Sequence, residues 1–419
     1  MTNKKVFLAT NGCPENRIDL ARMQQFLKEN DWIVTKNVED ADLILFNTCG
    51  LTQFREDMSI KIMNQLKSRK KASAELIAFG CLPRINKERF RENYQGFTFG
   101  SDEIERITEI IKRTNDKDVH ANYLIPAITD ASGDKWKIPN FKKLGRLMDI
   151  ESKVIMESYK RIGSIINVYR PYSFLIKVAT GCSGACTFCA VRLSRGKVKS
   201  KSIHKIAEEF DQGLAKGYSE FSLIGTDIGS YGRDQGTNLA VLLRELISRN
   251  GDYRIRLRNV HPRFLIEMMP ELQEIFKTGI ISYISSAAES GNNRILKLMR
   301  RGYTIEDFKE AIHFINKNFP DIQIRTHFMV GFPSETKQEF EDTLKILDEL
   351  IFDIAEVYMF SPRVNTIAAQ MHNQIPERIA KKRYLKLFRK SFSNQKERKK
   401  RALKEHKNNL QLYSPKLSL

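Results

Sequence analysis

The sequence predicts an α/β fold built from two alternating strand–helix regions, followed by a basic helical tail. Three observations carry this. Short apolar runs alternate with helical patterns from residue 1 to about 130, and again from 173 to about 375. Asp130-Ala131-Ser132-Gly133-Asp134, a polar turn signal, breaks the pattern between them. The chain has six cysteines, which fall after predicted strands, three singly and three in one loop.

In chain order, Lys5-Val6-Phe7-Leu8-Ala9 reads as an apolar strand and is followed by Thr10-Asn11-Gly12-Cys13. Ile18-Asp19-Leu20-Ala21-Arg22-Met23 has a helical pattern. Ala41 to Phe46 is a second strand, followed by Asn47-Thr48-Cys49-Gly50, and Glu75 to Phe79 is a third, followed by Gly80-Cys81. In an open parallel sheet, the carboxyl ends of the strands face one crevice, where ligands bind. Cys13, Cys49 and Cys81 are therefore expected to form one three-thiolate site. The alternative is three core cysteines, because free Cys is often buried; the Gly-Cys and Thr-Cys-Gly settings argue against it. Leu144 to Ile165 reads as helical within a linker or insertion at 131–172. The second region offers strands at Phe174 to Val178, Glu220 to Ile224, Arg254 to Leu257, Tyr283 to Ser286, Ile322 to His327 and Ile354 to Phe360. The segment 379–419 is dominated by Lys, Arg, Leu and Phe, with the charge run Lys396-Glu397-Arg398-Lys399-Lys400-Arg401 and no period-two strands.

The run Cys182-Ser183-Gly184-Ala185-Cys186-Thr187-Phe188-Cys189 is a CxxxCxxC. Iron–sulfur clusters are usually held by four cysteines. Three thiolates in one loop leave one iron open to a substrate or cofactor. Zinc normally takes four protein ligands, and no histidine lies near, His204 being the closest. A disulfide is the bland alternative.

The CxxxCxxC with an aromatic before its last cysteine resembles the radical S-adenosylmethionine enzymes. With Asn11 to Arg17, Asn47-Thr48-Cys49-Gly50 and Gly80-Cys81-Leu82, the chain resembles their methylthiotransferase family from about residue 4 to about 378. Arg195-Gly196 with Ser200-Lys201-Ser202, Ile224-Gly225-Thr226-Asp227, Glu289-Ser290-Gly291-Asn292 and Val330-Gly331-Phe332-Pro333 extend the likeness. The resemblance implies an amino-terminal methylthiotransferase domain at 1–130 and a radical core at 173–378. The core is expected to be an incomplete (β/α) TIM-like barrel with its site at the carboxyl ends of the strands. It also implies two 4Fe–4S clusters, one on Cys182, Cys186 and Cys189 and one on Cys13, Cys49 and Cys81, with S-adenosylmethionine at the first. Phe188, Asp227, Glu289, Gly331, Phe332 and Pro333 are the implied cofactor contacts. Glu289 stands where the family often has Gln, Asp227 fits a helix cap equally well, and Gly331-Phe332-Pro333 is otherwise a simple turn. No catalytic acid or base is assigned. The implied reaction inserts a methylthio group at an unactivated carbon, of a modified adenosine beside the tRNA anticodon or, alternatively, of a ribosomal protein or precursor peptide. An electron donor such as flavodoxin or ferredoxin and a sulfur source are implied partners. The family usually ends in a small TRAM barrel that binds RNA or protein substrate, for which residues 379–419 show no pattern.

Charge points the same way. Lys and Arg number 70 against 50 Asp and Glu, a net charge of +20, which favours a polyanion such as RNA over a merely solvated basic surface. Ser361-Pro362-Arg363 adds to the tRNA reading. No apolar run is long enough to span a membrane. Val6 to Ala9 is too short for a signal peptide, so the expected compartment is the cytoplasm, where thiols stay reduced.

Overall fold

Strand β1 (Lys5–Thr10) buries every residue after Lys5, and β3 (Leu43–Thr48) buries all of its residues. Parallel strands covered on both faces read as continuous apolar runs rather than alternating ones, which is why these segments stood out in the sequence. With β2 (Ile33–Val34) and β4 (Glu75–Gly80) they form a parallel sheet of order β2-β1-β3-β4. Two residues are too few for a periodic signal, so β2 was not anticipated. Helix α1 (Pro14–Glu29) starts with proline at its first position, where the missing N–H costs nothing. Its Leu20, Met23 and Leu27 cluster with Val6, Leu8 and Leu45 on one face of the sheet. Helix α2 (Gln53–Arg69) sends Ile62, Met63 and Leu66 to Phe7, Ile44 and Phe46 on the other face. Successive residues of β1 thus feed opposite sides, as strand geometry requires.

The chain, seen here as a computed structural model, is described over residues 4–114 and 173–409, with backbone alone at 111–114 and 394–409. The expected insertion at 131–172 lies outside the described residues. Two compact units emerge: Met1–Asn259 with Ser361–Gln370, and Val260–Phe360 with Met371–Leu419. The division falls after Asn259 rather than within 130–173, so the second strand–helix region is shared between the units.

In unit one, β5 (Phe174–Lys177), β8 (Glu220–Ile224) and β9 (Arg254–Leu257) pair in parallel. Between them, β6 (Ala179–Thr180) and β7 (Lys199–Ser200) form an antiparallel clamp. Short helices α3 (Leu82–Ile85) and α4 (Val191–Arg195) follow cysteines. In unit two, β10 (Ile281–Ser285), β11 (Gln323–Val330) and β12 (Ile354–Met359) are again parallel. All six strands expected over 173–378 are therefore present, three in each unit. Helix α5 (Pro262–Glu267) and helices α6 (Ile305–Asn318) and α7 (Lys337–Glu349) belong to unit two, and Thr304 and Thr336 start the last two with capping boxes.

Helix α8 (Glu377–Asn409) covers the segment expected as a basic helical tail, and its first half is packed rather than free. Ala380, Tyr384, Leu387 and Ser391 are buried, a stripe at helical spacing that packs on β12, β11 and α7. Arg383 pairs with Glu335 at 2.6 Å, Lys386 pairs with Glu341 at 2.6 Å, and Lys390 pairs with Asp348. The first half of α8 is a built part of unit two. The side chains of Arg398, Lys399, Lys400 and Arg401 lie outside the described residues. No described helix is long and apolar enough to cross a membrane.

Candidate functional site

Cys13, Cys49 and Cys81 follow β1, β3 and β4 at the carboxyl edge of one sheet, and the loops that present them are tied together. The Thr10 hydroxyl donates to the Asn47 carbonyl at 2.9 Å and accepts from the Gly12 N–H at 3.0 Å. The Cys49 N–H donates to Asn11 Oδ1 at 3.1 Å and to Ser59 Oγ at 3.0 Å. Asn16, fully buried at the start of α1, donates to Asn47 Oδ1 at 2.6 Å. Its own Oδ1 accepts from Cys13 Sγ at 3.4 Å and from Cys81 Sγ at 3.8 Å. Gly12 has to be glycine, because a Cβ there would stand 2.5 Å from the Asn16 side chain. Cys49 and Cys81 are buried, and Cys13 is exposed.

The second triad lies on a loop closed at its base by the pairs Ala179–Ser200 and Thr180–Lys199. The Cys182 N–H reaches the Gly196 carbonyl at 3.3 Å, and the Cys189 N–H reaches the Cys186 carbonyl at 3.2 Å. Gly181 has φ +78°, and a Cβ on it would meet the Lys197 carbonyl at 2.1 Å, so the closure demands glycine. Cys182 Sγ lies 3.5 Å from Asp227 Oδ2, while Asp227 Oδ1 accepts the Gly229 N–H at 3.0 Å. Asp227 thus caps a turn, one of its two sequence readings, and it also faces Cys182. Phe188, half-buried, sits on the same loop.

All six cysteines are free thiols, which removes the disulfide alternative. Among the described residues no three His, Cys, Asp or Glu side chains gather tightly enough for a single metal ion. A cluster whose thiolates bind separate irons asks for a wider triangle. Electrostatics fits that donor set. Desolvation raises the Cys13 and Cys49 thiols; Glu15 and then Cys81 raise Cys13 further against the opposing Arg195, and Cys81 raises Cys49. Desolvation, then Asp227, raises Cys182, with Cys186 and Cys189 adding to it. Thiols held protonated mainly by desolvation must give up their protons when a cation binds, the linkage that metal ligation requires.

Sequence reasoning missed the group between the triads. Arg195 ends α4 and is almost fully buried. Its Nη2 donates to Asn16 Oδ1 at 2.9 Å and to Asp19 Oδ2 at 3.2 Å, and its Nη1 lies 3.3 Å from Glu15 Oε2. Lys177 shares Asp19 at 2.8 Å, and the Thr226 hydroxyl donates to Glu15 at 3.3 Å. The available signal was the pair Glu15 and Asp19, acids one helical turn apart on a face that is otherwise buried. Arg363 is a correction. It was read as favouring RNA, but it is 1% exposed, paired with Glu56 and donating to Gln53 Oε1 at 3.0 Å, so it offers nothing to phosphate.

In unit two, Glu289 is buried with φ 64°, its N–H donating to the His327 carbonyl at 2.9 Å. A left-handed, non-glycine residue costs on the order of 1–3 kcal/mol and is retained only where its surroundings enforce it. Gly331 has φ +75°, donates its N–H to Glu335 Oε2 at 2.9 Å, and would bring a Cβ within 2.8 Å of Ala380. The turn and the packing of α8 explain the glycine. The Phe332 ring is fully buried, 5.5 Å from Phe360, and Pro333 is buried too. The Phe332 side chain is therefore part of the core, and only its backbone is left to meet a cofactor.

Residues 5–100 match the Uncharacterized protein family UPF0004, and residues 176–347 match the Radical SAM superfamily. The chain is 30% identical over 386 residues to the probable threonylcarbamoyladenosine tRNA methylthiotransferase of Pyrococcus horikoshii, covering 92% of this chain and 83% of that one. It is 30% identical over 398 residues to the tRNA-2-methylthio-N(6)-dimethylallyladenosine synthase of Acetivibrio thermocellus, covering 92% and 76%. A solved radical S-adenosylmethionine methyltransferase, TsrM from Kitasatospora setae, superposes with TM-score 0.60 at 12% identity over 88% of this chain and 77% of that one, a likeness of fold alone.

Proposed function

The chain belongs to the radical S-adenosylmethionine methylthiotransferase family, and from that membership we propose that it inserts a methylthio group at an unactivated carbon of a modified adenosine in tRNA. The observation that carries this reading is the presence of two free cysteine triads in one compact unit, one at the carboxyl ends of three parallel strands and one on the single loop closed by the β6–β7 clamp. Cys182, Cys186 and Cys189 are suited to hold one 4Fe–4S cluster with an open iron, and Cys13, Cys49 and Cys81 a second. When bound, the clusters and S-adenosylmethionine would relay the electron, generate the substrate radical and carry the sulfur.

The chain's own residues bind and orient. Asp227, held by the Gly229 N–H, presents a carboxylate beside Cys182, suited to a cationic group of the cofactor. Phe188 offers a half-buried aromatic face on the same loop. The enforced strain at Glu289 supports a cofactor contact there, and the Gly331 turn keeps its place through Glu335 and Ala380. Pro333 and Phe332 support that turn from the core. Electrons come from a donor such as flavodoxin or ferredoxin, and sulfur from a separate source. Net charge of +20 supports a polyanionic substrate. Nothing in the named relatives favours the protein or peptide alternative.

Mass spectrometry of tRNA nucleosides from a deletion strain tests the reading. A methylthioadenosine should disappear and its unthiolated precursor accumulate. Unchanged nucleosides would overturn the tRNA assignment.

A further inference from the structure

Arg195 belongs to the loop that carries Cys182, Cys186 and Cys189, yet its guanidinium lies against the other triad. One Oδ1, that of Asn16, receives Arg195 Nη2 at 2.9 Å, Cys13 Sγ at 3.4 Å and Cys81 Sγ at 3.8 Å. Ala190, next to Cys189, packs with Cys81 and Ile85, so α4 is seated on α3. Arg195 Nη1 is buried and finds no hydrogen-bond acceptor among the described residues, although Glu15 lies 3.3 Å away. Burying a guanidinium costs several kcal/mol unless charge and hydrogen bonds repay it. The surrounding side chains repay it and no more: Glu15 and Asp19 balance Arg195 and Lys177. Removing Arg195 makes the wall of the triad more negative by one charge and leaves Arg55, whose Nη1 donates to the Asn11 carbonyl at 3.1 Å, as the other guanidinium on the Cys13 loop.

We propose that Arg195 is the positioning residue of the Cys13, Cys49 and Cys81 cluster, fixing the Asn16 side chain at the edge of the triad and placing a buried positive charge that raises the cluster's reduction potential. The inference rests on the two-cluster reading above. Net charge and hydrogen bonds near the sulfurs are among the factors that set cluster potentials. The arrangement also makes the auxiliary site depend on the fold of the radical-motif loop, because the cation that completes it is supplied by α4.

The test is an EPR-monitored redox titration of the full chain after anaerobic reconstitution. A Cys13/Cys49/Cys81→Ala variant supplies the radical-cluster wave for reference. Arg195→Gln should move the auxiliary wave to lower potential and leave the radical wave in place. Arg195→Lys, which keeps the charge, should restore the wild-type position. Asp19→Asn, which removes a neutralising charge, should move the auxiliary wave the opposite way. If Arg195→Gln fails to hold its auxiliary irons, Arg195→Lys and Asp19→Asn decide by the same signs. An auxiliary wave that stays in place in these charge-changing variants, or two waves that move together, overturns the proposal. A wild-type chain that takes up about four irons rather than about eight overturns the two-cluster reading instead.

Discussion

Cys182 Sγ lies 3.5 Å from Asp227 Oδ2, and the other oxygen of that carboxylate is fixed by the Gly229 N–H. A carboxylate beside a prospective thiolate ligand is repulsive unless a cation comes between or beside them, and after desolvation it is the next cause that raises the Cys182 thiol. Its position suits the cationic cofactor better than the cluster.

Asp227→Asn keeps an acceptor for Gly229 and removes the charge. Iron content should remain at the wild-type level, while the Kd for S-adenosylmethionine, measured by equilibrium dialysis, should rise about tenfold, or about 1.4 kcal/mol. Wild-type affinity in this variant would reduce Asp227 to a turn cap.

His261 gives a pH test in unit two. Its Nδ1 accepts the Arg263 N–H at 3.2 Å to cap α5, which requires a neutral ring. Burial, then Arg301 and Arg263, push its pKa from 6.5 down to about 2. The unfolded chain takes up a proton that the fold refuses, so this contribution is full above about pH 6.5 and is lost as pH falls below it. His261→Asn keeps a cap acceptor and should flatten the loss of stability between pH 6.5 and 4 by up to roughly 1 kcal/mol per pH unit. Parallel melting curves for the two proteins across that range would contradict the assignment.

Much of this was legible in sequence, for identifiable reasons. β1, β3 and β4 are buried on both faces and end in Gly or Thr turns, so their bounds and their cysteines could be read locally. The Arg195–Asn16 contact links positions far apart in sequence, and no periodicity announces such a pair. Arg363 was misread because composition reports charge but not burial. The packing reason for Gly331 was hidden because the residue that crowds it, Ala380, lies in a helix that looked like a solvated tail. The stripe Ala380, Tyr384, Leu387 and Ser391 is visible in retrospect, masked by the lysines and arginines between its members.

That stripe predicts a division within α8. Leu387→Ala should destabilise unit two by about 2–5 kcal/mol, the usual cost of emptying a buried leucine site. Replacing Arg398, Lys399, Lys400 and Arg401 with Gln should change stability by no more than about 0.5 kcal/mol. Denaturant unfolding of both variants checks this, and a negligible loss in Leu387→Ala would detach the helix from the core.

The same four basic residues test RNA binding. Each neutralised phosphate contributes about −0.7 to −0.9 to the slope of log K against log salt, so the quadruple Gln variant should flatten the slope for tRNA by roughly 2 to 4 units. S-adenosylmethionine cleavage without RNA should be unaffected. An unchanged slope would show that α8 does not touch the phosphates.

The central claim is that each cysteine triad holds its own cluster with its own task, and iron counting paired with deoxyadenosine assay tests it most directly. Anaerobically reconstituted wild type should hold about eight irons, and each triple Ala variant about four. Cys182/Cys186/Cys189→Ala should form no deoxyadenosine, while Cys13/Cys49/Cys81→Ala should still cleave S-adenosylmethionine but make no methylthio product. Cleavage retained in the first variant, or lost in a folded second variant that keeps its four irons, would contradict the account.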